Sequence, residues 1–335
     1  VSRCPGPPQG GGAAGTLDLR TVWGGDELIA ISSIEDLIVF FGRKNILIYD
    51  SPETPANLAL VEKLQGVGCI ARDSVQNTGN DIIFLSDSGV RSLSRAIEAG
   101  GRQSLGDLSI NVRSDLMTTV KAETEVAIKS SYHEDGGFYL LQFPSQEIDY
   151  VFDLRFPNSD GSAKVTQWRN MTTNCAYSAQ DRTLYFGGAG ILDKYDGYND
   201  GASGTYIMEY VSAWTDYSAA SNEIPFISSK FKIPKRWITD INTNTNYTVT
   251  FQWGFDFNTD FRTYVTTLAT GANPGEWNIA EWGIGEFSAG DIFVSARASP
   301  AGHGRTLRIG WRVVIDGAPF AVQTIDFGIV LGRVQ

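Results

Sequence analysis

Asp36-LIVFFGRKNILIY-Asp50 carries two apolar runs on either side of Gly42-Arg-Lys-Asn45. The first run, Leu37–Phe41, has no polar residue at alternate positions, so it reads as a strand buried on both faces. The same plan of strand, polar turn and strand recurs in Asp81-IIFLSDSGVRSLS-Arg95, Gly137-FYLLQFPSQEIDYVF-Asp153 and Arg182-TLYFGGAGILDKY-Asp196. The starts lie 45, 56 and 45 residues apart. A Ser-containing polar turn precedes each repeat: Ser32 to Glu35, Ser74 to Asn80, Ser130 to Gly136 and Ser178 to Asp181. A further strand is expected ahead of each turn, at Glu27-LIAI, Gly68-CIA, Glu125-VAI and near Gln167-WRNM. A strand–hairpin unit at about 40–50 residues is the spacing of β-propeller blades, because one small sheet cannot bury both faces alone. The competing reading is one long meander folded as a sandwich.

Working outward, the 335-residue chain is Gly-rich and aromatic-rich and only 19% charged, which excludes disordered and coiled-coil classes. No apolar run approaches the ~20 residues of a membrane helix. The best helix is Ser114–Ala122, with Ser114 as N-cap and Leu116 and Val120 on one face. Pro and Gly dominate Val1–Gly15, which is expected to be an arm, and the Val start suggests a processed or incomplete N-terminus. From about residue 225 the pattern changes to alternating stretches at Tyr247–Trp253, Arg262–Leu268, Asp291–Ala296, Thr306–Val314 and Phe320–Asp326. Asp316-Gly317 reads as a hairpin turn. The expected fold is therefore all-β. Residues 1–26 form an arm and first strand, 27–224 a β-propeller of at least four blades, and 225–335 a β-sandwich-like domain.

The formal net charge is −11, and residues 225–335 are net +1, so the acidic surplus of −12 falls on 1–224. Such a chain is no counterion-releasing DNA binder. Cys4, Cys69 and Cys175 have no C-x-x-C spacing, and His133 and His303 read as surface loop residues, so no metal site or cofactor is expected.

Glu276-Trp277 and Glu281-Trp282, followed by Glu286-Phe287, give the sharpest chemical pattern. Paired carboxylates and sugar-stacking aromatics suit a glycan-binding or glycan-degrading propeller. The five-residue spacing puts successive glutamates on opposite faces of a strand, which favours solvated glutamates with anchored aromatics. Asp256–Asp260 and Asp196–Gly201 resemble calcium loops but lack the required Gly or Glu and read as Asx turns. Gly187–Gly190 reads as a hairpin turn. Lys230, Lys232, Lys235, Arg236 and Trp237 form the one basic cluster, expected as a solvated edge. No P-loop, nucleophile elbow or zincin motif occurs, and no enzyme is expected.

Four passages resemble the tail nozzle, or packaged-DNA stabilisation, proteins of short-tailed bacteriophages: Ile34–Ser51, Leu64–Val90, Ile110–Ala122 and Gly137–Asp153. The resemblance covers nearly half the chain and is dispersed rather than a signature. It implies a structural virion protein: a homohexameric ring in the tail, seated below the adaptor ring and above the distal tip or fibre proteins. The ring would retain the packaged genome and conduct double-stranded DNA during ejection without sequence-specific binding. It brings no catalytic residues. Relatives in that family have further blades upstream of Glu27, so a second chain or a separated N-terminal portion is expected to supply missing blades. A general adhesion propeller is the third reading.

Overall fold

The computed structural model describes residues 17–50, 58–98, 107–188, 190–201, 204–217, 227–269 and 293–332. The chain is all-β, built from small antiparallel sheets, and divides into two compact units, Val1–Tyr195 and Asp196–Gln335.

In the first unit, β1 (Leu28–Ile34), β2 (Leu37–Gly42), β3 (Asn45–Asp50) and β4 (Ala59–Gln65) form a four-stranded meander. Next come β5 (Gln76–Asn77), β6 (Ile82–Ser86) and β7 (Gly89–Ser92) in a three-stranded sheet. A second four-stranded meander follows: β8 (Lys129–His133), β9 (Phe138–Phe143), β10 (Ile148–Asp153) and β11 (Lys164–Arg169). The last sheet is β12 (Cys175–Ser178), β13 (Leu184–Gly188) and β14 (Ile191–Lys194). The first strands β1, β5, β8 and β12 adjoin one another in that order.

The unbroken apolar runs are explained by what their two faces touch. Ile82 and Phe84 of β6 pack with Val39, Phe41 and Ile48 of the first sheet. Ile83 and Leu85 point the other way, into a core with Tyr139, Leu141 and Phe152 of the third. On β9, Tyr139, Leu141 and Phe143 enter that same core, while Phe138 and Leu140 pack with Leu184 and Phe186 of the fourth sheet. Successive side chains of a strand point to opposite faces, so a strand between two sheets must be apolar at every position. Trp23, in the helical turn Arg20–Trp23, covers Leu47 and Tyr49 on the outer face of the first sheet. The outer face of the fourth is open: Tyr177 is 65% and Leu192 74% exposed.

Several local expectations are corrected. Gly68–Ala71 is buried but is not a strand; the second sheet opens on the two-residue β5. The strand expected at Glu125–Ile128 is instead a turn at 125–127 followed by the strand Lys129–His133, so the turn expected at Ser130–Gly136 is confined to 134–137. The stretch near Gln167 closes the third sheet against β10 instead of opening the fourth. The helix runs Arg113–Ala122 and buries Leu116 and Val120, but Val112 holds the N-cap position and Ser114 lies inside, its carbonyl accepting from Thr118 Oγ1 at 2.8 Å. His133 is only 7% exposed, packed against Phe138, whereas His303 is exposed.

The second unit has two sheets. One runs β15 (Tyr206–Val211), β20 (Leu307–Ile315), β17 (Thr248–Phe255) and β18 (Arg262–Thr267). The other runs β19 (Phe293–Ala298), β16 (Lys232–Thr243) and β21 (Phe320–Leu331). They share one core, with Phe251, Trp311 and Val313 from the first and Trp237, Ile241 and Phe320 from the second. Asp316-Gly317 does turn the chain, with Gly317 at φ 67°, but it joins β20 and β21 of different sheets and so is not a hairpin. β15 pairs with β20, so the division between units falls ahead of the boundary expected at 224/225, itself outside the described residues. Counted at this division, 1–195 holds 17 basic and 24 acidic residues, net −7, and 196–335 holds 10 and 14, net −4. The acidic surplus is therefore shared.

Candidate functional site

Glu276, Trp277, Glu281 and Trp282, the candidate glycan contacts, lie outside the described residues, as does Cys4. The basic cluster does not form one patch. Its residues lie on or beside β16, the central strand of its sheet. Lys232 and Trp237 are fully buried, Trp237 Nε1 donating to Thr239 Oγ1 at 2.6 Å. Arg236 is exposed and paired with Asp326 at 2.6 Å. Burial pushes the Lys232 amine down. Asn258 Oδ1 accepts Asp260 N at 2.9 Å, as an Asx turn does, whereas Asp256 uses one carboxylate oxygen for a long-range contact, accepting the amides of Arg305 and Thr306 at 2.7 and 2.9 Å. Gly188 pairs with Ile191 across the turn read at Gly187–Gly190.

Carboxylates and glycines fix how the first unit's hairpins seat. Asp26 accepts from the amides of Arg43 and Lys44 and from Asn45 Nδ2, at 3.1, 3.0 and 2.7 Å. Burial opposes its ionisation, but these donors outweigh it and hold its carboxyl below the usual range. Glu123 accepts from Ser145 N at 2.9 Å in the β9–β10 hairpin. Gly68 lies so close to the Arg43 carbonyl that any Cβ would overlap it. The Cys69 thiol, fully buried, is pushed up to about 11 by burial and is no nucleophile.

A cleft of about 280 Å³ opens between the second and third sheets. Asp81, Asn80 and Arg95 contribute from the second sheet and its helix Leu93–Glu98, and Tyr132, Asp153 and Arg155 from the third. Asp81 is held by Ser92 Oγ, and by Ser94 N and Oγ at 3.0 Å each. Arg155 Nη2 reaches Asp153 Oδ2 at 3.2 Å, and Nε reaches Oδ1 at 3.3 Å. Arg95 Nη1 donates to the Gly161 carbonyl. Both arginines lie over left-handed glycines: the Arg155 stem occupies the place of a Gly137 Cβ (φ +59°), and Arg95 Nη1 lies 3.2 Å from that of Gly161 (φ +81°). Burial, aided by Glu134, pushes the Tyr132 phenol up, so it stays a donor at neutral pH. Nothing in the sequence singled out this cleft; its residues converge from separate strands, turns and a helix with no shared spacing.

No family model and no curated protein matches the chain. Among solved structures it is similar to the crystal structure of a Bacillus thuringiensis Cry1Da tryptic core variant, 13% identical with a TM-score of 0.20, over 91% of this chain and 51% of that one. The chain spans about half the length of that protein, and a likeness of this degree carries no argument about fold or function.

Proposed function

We propose that the chain is a structural subunit of a short-tailed phage tail nozzle, with a first unit of propeller blades, a sandwich-like second unit, and a ring-shaped homohexamer that retains and conducts DNA. The observation that carries the reading is the ordered stack: four successive meanders, each packed face to face on the next, with their first strands adjoining in sequence order. Blades around an axis have this arrangement. The uncovered face of the fourth sheet, with Tyr177 and Leu192, supports continuation of the stack by blades from another chain. Net negative charge on both units suits a conduit along which phosphate slides without sticking. Partners on this reading are the adaptor ring above and tip or fibre proteins below, and the chain acts without a cofactor.

Native mass spectrometry and negative-stain imaging of the purified protein, alone and with tail components, test it. Six-fold rings with an axial channel are expected. Monomers alone, at every concentration and with tail components present, refute it.

A further inference from the structure

We propose that the cleft between the second and third sheets binds a neutral, hydroxyl-rich ligand the size of one sugar ring. This goes beyond the nozzle reading and does not depend on ring assembly. Size comes first: about 280 Å³ lies at the lower edge of small-molecule pockets, which run from about 300 Å³ upward. Charge comes second. The wall carries two arginines and two aspartates, so an anion would meet Asp81 and Asp153, and a cation would meet Arg95 and Arg155. A neutral ligand with many hydroxyls can donate to Asp153 and accept from the guanidiniums at once. Preorganisation comes third. Asp81 is saturated by Ile82 N, Ser92 Oγ and Ser94 N and Oγ, whereas among the described residues Arg155, fixed by Asp153, and Arg95, fixed by the Gly161 carbonyl, each keep free donors. Gly137 leaves room for the Arg155 stem, which a Cβ there would overlap, whereas a Cβ at Gly161 would only crowd Arg95 Nη1 at 3.2 Å. Among the described residues the Tyr132 hydroxyl and the Asn80 carboxamide have no hydrogen-bond partner, so both can serve the ligand.

Saturation-transfer difference NMR on the full chain tests this, with methyl glucopyranoside, glucuronate and glucosamine as the neutral, anionic and cationic probes. Transfer to the neutral sugar at millimolar concentration is expected to exceed that to either charged one. Tyr132→Phe removes one oxygen from the wall and is expected to weaken binding about fivefold, the loss of one hydrogen bond. Arg95→Ala, which removes a guanidinium from the wall, is expected to weaken it further, with circular dichroism reporting whether the fold is retained. Absence of transfer from the neutral sugar at tens of millimolar, a preference for a charged probe, or unchanged affinity in a folded Tyr132→Phe protein overturns the proposal.

Discussion

Asp149→Asn is expected to stabilise the first unit at neutral and alkaline pH and to flatten its pH profile. Asp149 is 1% exposed, and its cross-strand neighbours are Gln142 on β9 and Trp168 on β11, both uncharged. Its polar contact is Gln142 Nε2, at 3.1 Å, and that same nitrogen is 3.3 Å from Thr173 Oγ1. Burial without a countercharge pushes the carboxyl up to about 7, with the Gln142 hydrogen bond only partly opposing the rise. A carboxyl raised in the folded state contributes its full stability below the unfolded value near 3.8 and loses it as pH climbs through 7. At about 1.4 kcal/mol per unit, the wild type gives up on the order of 4 kcal/mol across that window, more than half of it between pH 5 and pH 8. Asparagine does not titrate, and its amide can donate to Gln142 Oε1, which has no hydrogen-bond partner. Urea unfolding followed by circular dichroism at pH 5 and pH 8 measures the difference, since the other titrations cancel between variant and wild type. With a slope near 3 kcal/mol per molar for a domain of this size, the variant's gain in midpoint is expected to be about 1 M larger at pH 8 than at pH 5. Parallel pH profiles for the two proteins would refute the reasoning.

Gly68→Ala is expected to cost about 3 kcal/mol, because the new methyl meets the Arg43 backbone and not a movable side chain; thermal unfolding reports it. Thr239→Val is expected to cost about 1–3 kcal/mol in the second unit by stranding the indole N–H of fully buried Trp237, and tryptophan fluorescence during unfolding checks it. Lys232→Met should stabilise the second unit by about 1 kcal/mol, since the buried amine makes one long bond, 3.3 Å, to the Ser228 carbonyl; a lower urea midpoint would contradict this.

The repeat was legible because residues at β6 and β9 serve two cores each, which leaves a continuous apolar run in the sequence. Edge strands left a weaker trace. β4 is mostly exposed, and β11 alternates only loosely, so the fourth strand of each meander was missed or assigned to the next sheet. β16 was missed for a sharper reason. Its buried positions are Lys232, Pro234, Trp237, Thr239, Ile241 and Thr243, so lysine, proline and two threonines face inward. A register shift between Pro234 and Arg236 also moves the inward phase by one residue, which destroys the period of two. Pro234 is tolerated because β19 pairs only from Trp237 onward, leaving one side of β16 without a neighbouring ladder there. The cleft was invisible for another reason: its arginines are placed by glycines more than six residues away in each case, and no local pattern encodes such a pairing.

The position of the boundary changes what charge can say about a conduit. With the break at 224/225, all of the repulsion for phosphate would have to come from the repeat. Five carboxylates, Asp196, Asp200, Glu209, Asp216 and Glu223, and no basic residue lie between 196 and 224, and β15 carries Glu209 into the second unit. There Glu209 accepts from Gln252 Nε2 at 3.0 Å, so one of its oxygens is engaged. Moving these residues reduces the first unit from −12 to −7 and gives the second unit −4 in place of +1. Exposed charges further apart than about 8–10 Å are screened at physiological salt, so a lumen's repulsion depends on the carboxylates that line it and not on a domain's total. On the proposed nozzle reading, carboxylates of either unit can supply that repulsion. Unpaired carboxylates would supply it, and Asp153, Asp73 and Asp326 are not among them, being paired with Arg155, Lys129 and Arg236.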